Sequence, residues 1–508
     1  MNPRAPLLLA LFAAPAAAGD WNTGVGGNSS RTGLSEEIGP ASPAILWSGG
    51  DASVIAQQAV IEGDVVLMPR IFDLADTIGG TDVVAHDLAT GMVLWRRQVP
   101  ASFPDSWRTR VTAIRDGRAY LTRSGNTNAE YLYAYDLAGN QLWRSEDLVT
   151  ESTTESAVFT VDGDVVTTGR SSVIRIRAAD GLTEWESPRT CPTTGGCDPV
   201  VYRDRVYIWE AGASGPVVTS FDAATGMRLY SSLGIGGGFI QQIGLFAGQD
   251  GTIYAPRSQN NTLTDFLVAL EDTGAALVEK WRFEMGYVPF ASFGVGPEGS
   301  VYAYDRNERL VRLDPATGDV DAGPVAITSD FYQPRLAIGA SGTVFVTNGG
   351  FSQGRLFAFA PDLAPLWSVA VTNVNVGGPA IGVNGVLVVC GVGTDVRAYF
   401  IEPALRLEPF VPGVAGQVNT LFATFATPGE RVHFVAGFDP GSPAVPGCPG
   451  LALDIRAPRL LGNARADGFG EAALAFRVPG RAAGRTVLVQ AAELSSCTKS
   501  QRLSVLFE

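Results

Sequence analysis

The chain has 508 residues, a formal net charge of −14 and no polybasic run. This charge balance disfavours nucleic acid and anionic membrane surfaces as partners. The length exceeds what one ordinary hydrophobic core holds, so we expect one large domain and one smaller domain.

The first 18 residues have the pattern of a secretory signal peptide. Arg4 precedes an apolar run over residues 7–14, and small residues at 16–18 supply a cleavage site. The run is too short to cross a bilayer, which needs about 20 apolar residues. We predict a signal peptide at 1–18 and an exported protein, periplasmic or extracellular. No later stretch is long enough to predict a transmembrane segment.

One phrase recurs eight times between Trp47 and Val396: an alternating apolar strand, a turn built on Asp or Gly, and a short strand usually ending in Trp. The clearest copies are Val84–Trp95 and Thr219–Tyr230. Repeats of about 40–50 residues are typical of β-propellers, in which each repeat is one blade. The sequence therefore predicts an all-β fold, with an eight-bladed propeller over residues 19–402.

The ends of the repeat region predict how the ring closes. The last copy, Val396–Phe400, has no Trp strand after it, whereas Ala44–Trp47 is a Trp strand with no blade before it. We expect Ala44–Trp47 to form the outer strand of the eighth blade. Closure of this kind removes an exposed sheet edge.

The residue types that recur in the repeat have structural explanations. Asp accepts backbone hydrogen bonds at the start of a turn, Gly takes a positive φ, and Trp fills the space between blades. We predict structural roles for all of them.

The alternating strand, the Asp-x-x-Thr-Gly turn and the following Trp together resemble the pyrroloquinoline-quinone-type (PQQ-like) propeller repeat. Trp21–Asn28 and Arg31–Gly33 also resemble the opening of such proteins. The resemblance covers about residues 20–402 and implies the fold rather than a function. The family includes quinoprotein dehydrogenases as well as non-catalytic scaffolds such as the propeller lipoprotein of bacterial outer-membrane assembly.

The enzymatic members of that family hold their quinone with a disulfide between adjacent cysteines, a calcium ion bound by Glu and Asn, and an Asp general base. In this chain no two cysteines are adjacent, and neither the calcium ligands nor the base can be placed on matching positions. We therefore predict neither a PQQ nor a calcium cofactor.

The innermost strands of a propeller line its central channel, so residues just ahead of them are expected to gather at one mouth. Both charge signs occur among these candidates, which could form a polar funnel for a carboxylate or a peptide carbonyl. A water-filled channel with self-paired charges is the alternative. The candidate binding residues are Gln57, Arg110, Glu155, Asp198, Gln242 and Arg335.

The sequence gives little support for a metal site or for a catalytic nucleophile. Two histidines in the whole chain argue against a His-rich metal site or an ordinary Ser-His-Asp triad. Five cysteines in an exported chain favour disulfides. A short loop brings Cys191 near Cys197, and Cys448 is paired with Cys497 by elimination. Cys390, in an apolar strand, is expected to be a buried free thiol.

After residue 402 the phrase stops, and Pro-Gly turns separate short alternating segments. This spacing predicts a small β-sandwich over 403–508. It resembles terminal sandwich modules of secreted bacterial proteins.

Taken together, these features favour an exported binding or assembly protein that acts through protein–protein contacts, with no catalytic residues assigned. Two alternatives remain: a quinone-dependent dehydrogenase or other enzyme at the channel mouth, and an adhesive or glycan-binding surface protein.

Overall fold

The computed structural model describes residues 20–76, 78–104, 106–125, 129–150, 157–169, 171–191, 198–235, 244–257, 265–286, 288, 291–327, 334–350, 352–374, 376–400, 405–449, 451–468 and 470–507. The predicted signal peptide lies outside these residues. The chain divides into two compact units, Met1–Ile401 and Glu402–Glu508. The described part holds no helix with the length and apolar character that a membrane crossing requires.

The first unit is built from four-stranded antiparallel sheets, and its first strand is β1 (Ile45–Ser48). Blade one has β2 (Val60–Glu62), β3 (Val65–Ile71), β4 (Thr81–Asp87) and β5 (Val93–Arg97). Blade two has β6 (Ser106–Arg115), β7 (Arg118–Gly125), β8 (Glu130–Asp136) and β9 (Gln141–Thr150). Blade three has β10 (Val158–Phe159), β11 (Val165–Thr168), β12 (Ser172–Ile176) and β13 (Thr183–Pro188). Blade four has β14 (Val200–Tyr202), β15 (Arg205–Gly212), β16 (Gly215–Asp222) and β17 (Arg228–Ser231).

Blade five has β18 (Phe246–Ala247), β19 (Ile253–Arg257), β20 (Asp265–Asp272) and β21 (Leu277–Met285). Blade six has β22 (Gly294–Val295), β23 (Val301–Tyr304), β24 (Leu310–Leu313) and β25 (Val320–Val325). Blade seven has β26 (Arg335–Ile338), β27 (Val344–Thr347), β28 (Arg355–Phe359) and β29 (Pro365–Ala370). Blade eight has β30 (Pro379–Ile381), a 3-10 turn at Val383–Gly385, β31 (Leu387–Cys390) and β32 (Val396–Tyr399).

The eighth sheet confirms the predicted closure. Its strand order is β1-β32-β31-β30, and Trp47 of β1 lies opposite Ala398 of β32. Strand β1 therefore supplies the outer strand that the last repeat lacks. The eight sheets form the predicted eight-bladed propeller.

The Asp turn and the Trp strand of the repeat interlock between neighbouring blades. The indole N–H of Trp95 in blade one donates to the carbonyl of Leu137 in the turn of blade two (2.7 Å). The same ring covers Gly139, where an added Cβ would lie 2.8 Å from the indole. Trp47, Trp143, Trp185 and Trp281 make the equivalent contacts with the next blade. Glycine is thus needed for close approach as well as for its positive φ.

The second unit is a small β-sandwich. One sheet has the order β33-β34-β37, and the other has β36-β35-β38, with β39 and β40 both paired to β38. The strands are β33 (Arg406–Leu407), β34 (Val418–Thr424), β35 (Arg431–Gly437), β36 (Arg459–Arg465), β37 (Ala472–Arg477), β38 (Thr486–Glu493), β39 (Thr498–Lys499) and β40 (Leu503–Leu506). Leu421 and Phe434 belong to the apolar layer of this unit. Cys448 and Cys497, the pair predicted by elimination, form a disulfide with a Cα–Cα distance of 5.3 Å.

Candidate functional site

The segment before the first repeat, residues 20–37, runs past the innermost strands of the blades; we call it the strap. Trp21 exchanges two backbone hydrogen bonds with Ile61 (2.8 and 3.0 Å), and Thr32 accepts one from Val295 (2.8 Å). Glycine permits its tight path, because a Cβ on Gly27 would lie 2.8 Å from the Trp21 ring. Taken in chain order, one hydrogen-bonding partner of the strap in each blade is Ile61, Ile114, Phe159, Val201, Ala247, Val295, Ile338 and Asn384. The strap therefore contacts all eight blades in sequence.

Acidic groups gather where the strap begins. Asp20 accepts a hydrogen bond from the backbone of Gly63 (3.0 Å), and Glu62 accepts one from the backbone of Gly117 (2.9 Å). Burial raises the pKa of Glu62 to about 7. The backbone N–H of Gly117 opposes this rise, and the nearby charge of Asp20 adds to it. The pKa of Asp20 is also raised by burial. This corner of the ring therefore disfavours ionised carboxylates.

Two of the predicted channel-mouth residues, Gln57 and Arg110, come together. Both are half-buried and line a cavity of about 20 Å³, whose floor includes Val25 of the strap. Val25 also closes a second cavity, of about 10 Å³, beside Arg31 and Ser292. Either volume suits about one water molecule. Typical small-molecule sites occupy about 300–1,000 Å³.

Two further predicted residues, Asp198 and Arg335, are fully buried. The strap reaches Asp198 through an ion pair with Arg31, whose guanidinium lies 3.0 Å from the carboxylate. Arg335 lies under the backbone of Gly378, where an added Cβ would be 2.5 Å from the Arg335 Cβ. Neither side chain is therefore presented at the surface. The remaining candidates, Glu155 and Gln242, lie outside the described residues.

Of the three cysteines outside the second unit, the structure describes Cys191, which is half-buried, and Cys390. Cys390 is fully buried, its Sγ lies 3.6 Å from the sulfur of Met68, and burial raises its pKa to about 11. A thiol in this state is a weak nucleophile, as predicted for Cys390. Cys197 lies outside the described residues, so its pairing with Cys191 stays a prediction.

No group of three or more potential metal-ligating side chains occurs within the described ranges. His86 is buried, its Nδ1 lies 2.9 Å from the carbonyl of Gly91, and its ring stacks against Trp47 at 6.0 Å. Burial lowers the pKa of His86, so the ring is neutral at physiological pH. His86 therefore serves the interlock between blades eight and one.

An open groove of about 380 Å³ lies between blades four and five. It occurs where the interlock departs from the repeat: Tyr230 replaces Trp, and the turn of blade five carries Gly274 two positions after Asp272 instead of Gly four positions on. An added Cβ on Gly274 would touch nothing within 4 Å. The groove is lined by Tyr202, Arg203, Asp204, Arg205, Tyr207, Asp250, Gly251, Thr252, Glu271, Asp272, Gly274 and Lys280.

Two tyrosines hold the carboxylate at the base of this groove. Tyr207 donates to one oxygen of Asp272 at 2.6 Å, and Tyr230 donates to the other at 2.5 Å. Burial alone would raise the pKa of Asp272, but these hydrogen bonds lower it below its ordinary value. Burial, together with the adjacent carboxylate, raises the pKa of Tyr207. Asp272 is thus ionised and its acceptor capacity is largely used.

The outer strands carry a second surface feature, which we call the leucine row. Leu366, Leu46, Leu94 and Leu142 stand immediately before the interblade Trp in blades seven, eight, one and two. Their exposed fractions are 51%, 37%, 46% and 48%. Blades three and five carry Glu184 and Lys280 at this position, and blade four carries Leu229, which is half-buried. The exposed leucines at this position therefore lie in one run of consecutive blades.

Sequence reasoning missed the strap, the groove and the leucine row. The strap lies outside the repeat and has no period of its own. In the sequence, the only sign of the groove was a repeat that lacks its Trp. The leucine row could have been found by aligning the residue before each Trp.

The fold defines the chain as an eight-bladed β-propeller protein with a C-terminal sandwich. Residues 128–280 match the PQQ-repeat family model described as outer membrane protein assembly factor BamB. The protein therefore carries PQQ-like propeller repeats, as the sequence predicted. Among curated proteins none matches the chain.

Solved structures share the architecture. The quinohemoprotein alcohol dehydrogenase from Comamonas testosteroni is similar with a TM-score of 0.51 and 14% identity, over 76% of this chain and 81% of that chain. The Dos1 propeller is similar with a TM-score of 0.50 and 10% identity, over 72% of this chain and 96% of that chain. Likeness at these identities shows the fold alone.

Proposed function

We propose that the protein is an exported, non-catalytic propeller that binds or helps to assemble other proteins through its outer surface. The observation that carries this proposal is the leucine row. Single exposed aliphatic residues are ordinary on protein surfaces. An exposed Leu at the same repeat position in four consecutive blades, with Glu or Lys in blades three and five, is the kind of apolar surface that marks protein contacts.

The part of the ring interior formed by the described residues supports the non-catalytic part of the proposal. The strap and the buried Arg31–Asp198 pair lie there, and the two cavities beside them have volumes of about 20 and 10 Å³. A quinone cofactor needs a site more than about tenfold larger. Neither of these two cavities accommodates such a group, so no step through a quinone is derived.

The match of residues 128–280 to a family described as an outer-membrane assembly factor favours an assembly role in the cell envelope. The disulfide between Cys448 and Cys497 agrees with an oxidising compartment. The alternatives of a dehydrogenase and of a glycan-binding adhesin have no corresponding observation on the described surface.

A charge-matched pair of variants tests the leucine row. Leu94→Lys combined with Leu142→Lys adds two positive charges to the row, whereas Glu184→Lys makes the same net change at the equivalent position of blade three. Tagged proteins are cross-linked in the cell envelope, and bound proteins are identified by mass spectrometry. We expect one defined partner with the parent and with Glu184→Lys, and a loss of about tenfold or more with the double variant.

Equal recovery by the double variant and the control would show that the row is not the contact surface. The non-catalytic part has its own test. Purified protein is supplied with quinone, calcium and a redox dye, and turnover of alcohols or sugars would overturn it.

A further inference from the structure

The groove between blades four and five holds unused hydrogen-bonding capacity of both signs. Arg205 is half-buried on its wall, and its guanidinium makes no hydrogen bond or ion pair within the described part of the chain. At the rim, the exposed carboxylate of Glu271 likewise has no such partner among the described residues. A free guanidinium seeks a carboxylate or another strong acceptor, and a free carboxylate seeks a cationic donor.

Four of the five other charged groups of the groove contact neighbouring side chains, whereas Asp204, exposed in the turn next to Arg205, has no side-chain partner among the described residues. Asp272 is held by the two tyrosines, and Arg203 stacks over the Tyr202 ring at 5.1 Å. The Lys280 ammonium lies 2.9 Å from the hydroxyl of Thr252 and 3.6 Å from Asp250. Asp204 and Arg205 belong to blade four and Glu271 to blade five, so a ligand that spans the groove meets Arg205 on one wall and Glu271 on the other.

Charge balance narrows the ligand class. The lining contains three cationic and four anionic side chains, so a ligand of one sign would meet repulsion from part of the wall. A ligand with a carboxylate and an ammonium group satisfies Arg205 and Glu271 at once. The volume of about 380 Å³ lies within the range of small-ligand sites.

We propose that this groove binds a zwitterionic ligand, a short peptide with free ends, with its carboxylate on Arg205 and its ammonium on Glu271. This site does not depend on the leucine row. Blades four and five stand opposite blades eight and one in ring order. The site exists because Tyr230 and the shortened turn at Asp272 leave open the space that an indole covers at five other blade interfaces.

The test pairs changes in the ligand with changes in the protein. Trialanine with free ends, its C-terminal amide and its N-acetyl form are titrated calorimetrically into the purified protein. We expect the free peptide to bind about tenfold more tightly than either capped form, since each cap removes one charge-assisted contact. In Arg205→Gln the advantage over the amide should vanish while the advantage over the acetyl form remains. Glu271→Gln should show the reverse.

The matched control is Arg177→Gln, which removes an exposed arginine of blade three that pairs with Asp180. It should bind the three peptides like the parent protein. Equal binding of all three peptides by the parent would overturn the proposal, as would no binding at all. Loss of binding in Arg205→Gln without the expected selectivity would also overturn it when circular dichroism shows native folding. None of these outcomes bears on recovery of a partner by the leucine row.

Discussion

The interlock between blades predicts that two glycines of the same blade respond differently to alanine. Gly139 and Gly117 both have positive φ, at 80° and 75°. A Cβ on Gly139 would lie 2.8 Å from the Trp95 ring, whereas one on Gly117 would meet nothing within 4 Å. Only the change at Gly139 therefore disturbs the contact between blades.

The expected magnitudes follow from these geometries. Placing alanine at positive φ costs about 1–2 kcal/mol at either site. Gly139→Ala adds an overpacking cost of about 1–3 kcal/mol, because the indole ring is fixed by its hydrogen bond to Leu137. We therefore expect Gly139→Ala to lower the free energy of unfolding by about 2–5 kcal/mol, and Gly117→Ala by about 1–2 kcal/mol.

Urea unfolding followed by tryptophan fluorescence and circular dichroism measures the difference. A third comparison isolates the ring: in a Trp95→Ala background the overpacking term should disappear, so that Gly139→Ala and Gly117→Ala cost the same. Equal costs in the parent protein, or an unchanged difference without the indole, would refute the assignment of Gly139 to the interlock.

Three further predictions concern charge, pH and the disulfide. Asp198→Asn should lower stability by about 3–5 kcal/mol, because it removes the carboxylate that pairs with the buried Arg31, whereas replacing both residues with apolar ones should restore much of the loss in urea unfolding. Glu62 has a folded pKa of about 7, above its unfolded value of about 4.3, so stability should fall as pH rises between these values and level off above them. Glu62→Gln should remove that dependence and stabilise the protein at pH 8 by less than about 3 kcal/mol; a stability profile parallel to the parent's would contradict this. Reduction of the disulfide in the second unit should cost about 4 kcal/mol on the loop-entropy model, seen as earlier melting of that unit by calorimetry, and identical melting would argue against it.

The fold was predictable because the residues of the repeat indicate the local geometry of each blade. Asp, Gly and Trp mark the turn and the interblade contact in most copies, and the unpaired Ala44–Trp47 strand revealed the closure. These features are local in sequence, with periods of two residues within a strand and of one blade along the chain. No long-range information is needed to recognise them.

The candidate site was less predictable, because its geometry depends on residues far apart in sequence. Arg31 and Asp198 are separated by 167 positions, so the polar character of Asp198 could not show that a strap residue buries it. Arg335 is covered because Gly378 allows a close backbone approach. Gln57 and Arg110 line one cavity, since Gln57 lies just before the innermost strand of blade one and Arg110 lies within the innermost strand of blade two.

The groove marks an intermediate case. The loss of Trp at Tyr230 is plain in the sequence, but a lost Trp alone does not predict an opening. The space stays open because the turn of blade five is also displaced, so that Asp272 receives the hydroxyls of Tyr207 and Tyr230. Two departures from the repeat at one interface are therefore required.

The strap also limits how this protein can change its size. Propellers can gain or lose blades by duplication or deletion of a repeat, because each blade contacts chiefly its neighbours. Here one continuous segment meets the blades in chain order, from Ile61 in the first to Asn384 in the eighth. Removing or inserting a blade would put every later strap contact out of register. The contacts of residues 20–37 thus fit a ring of eight blades and no other number.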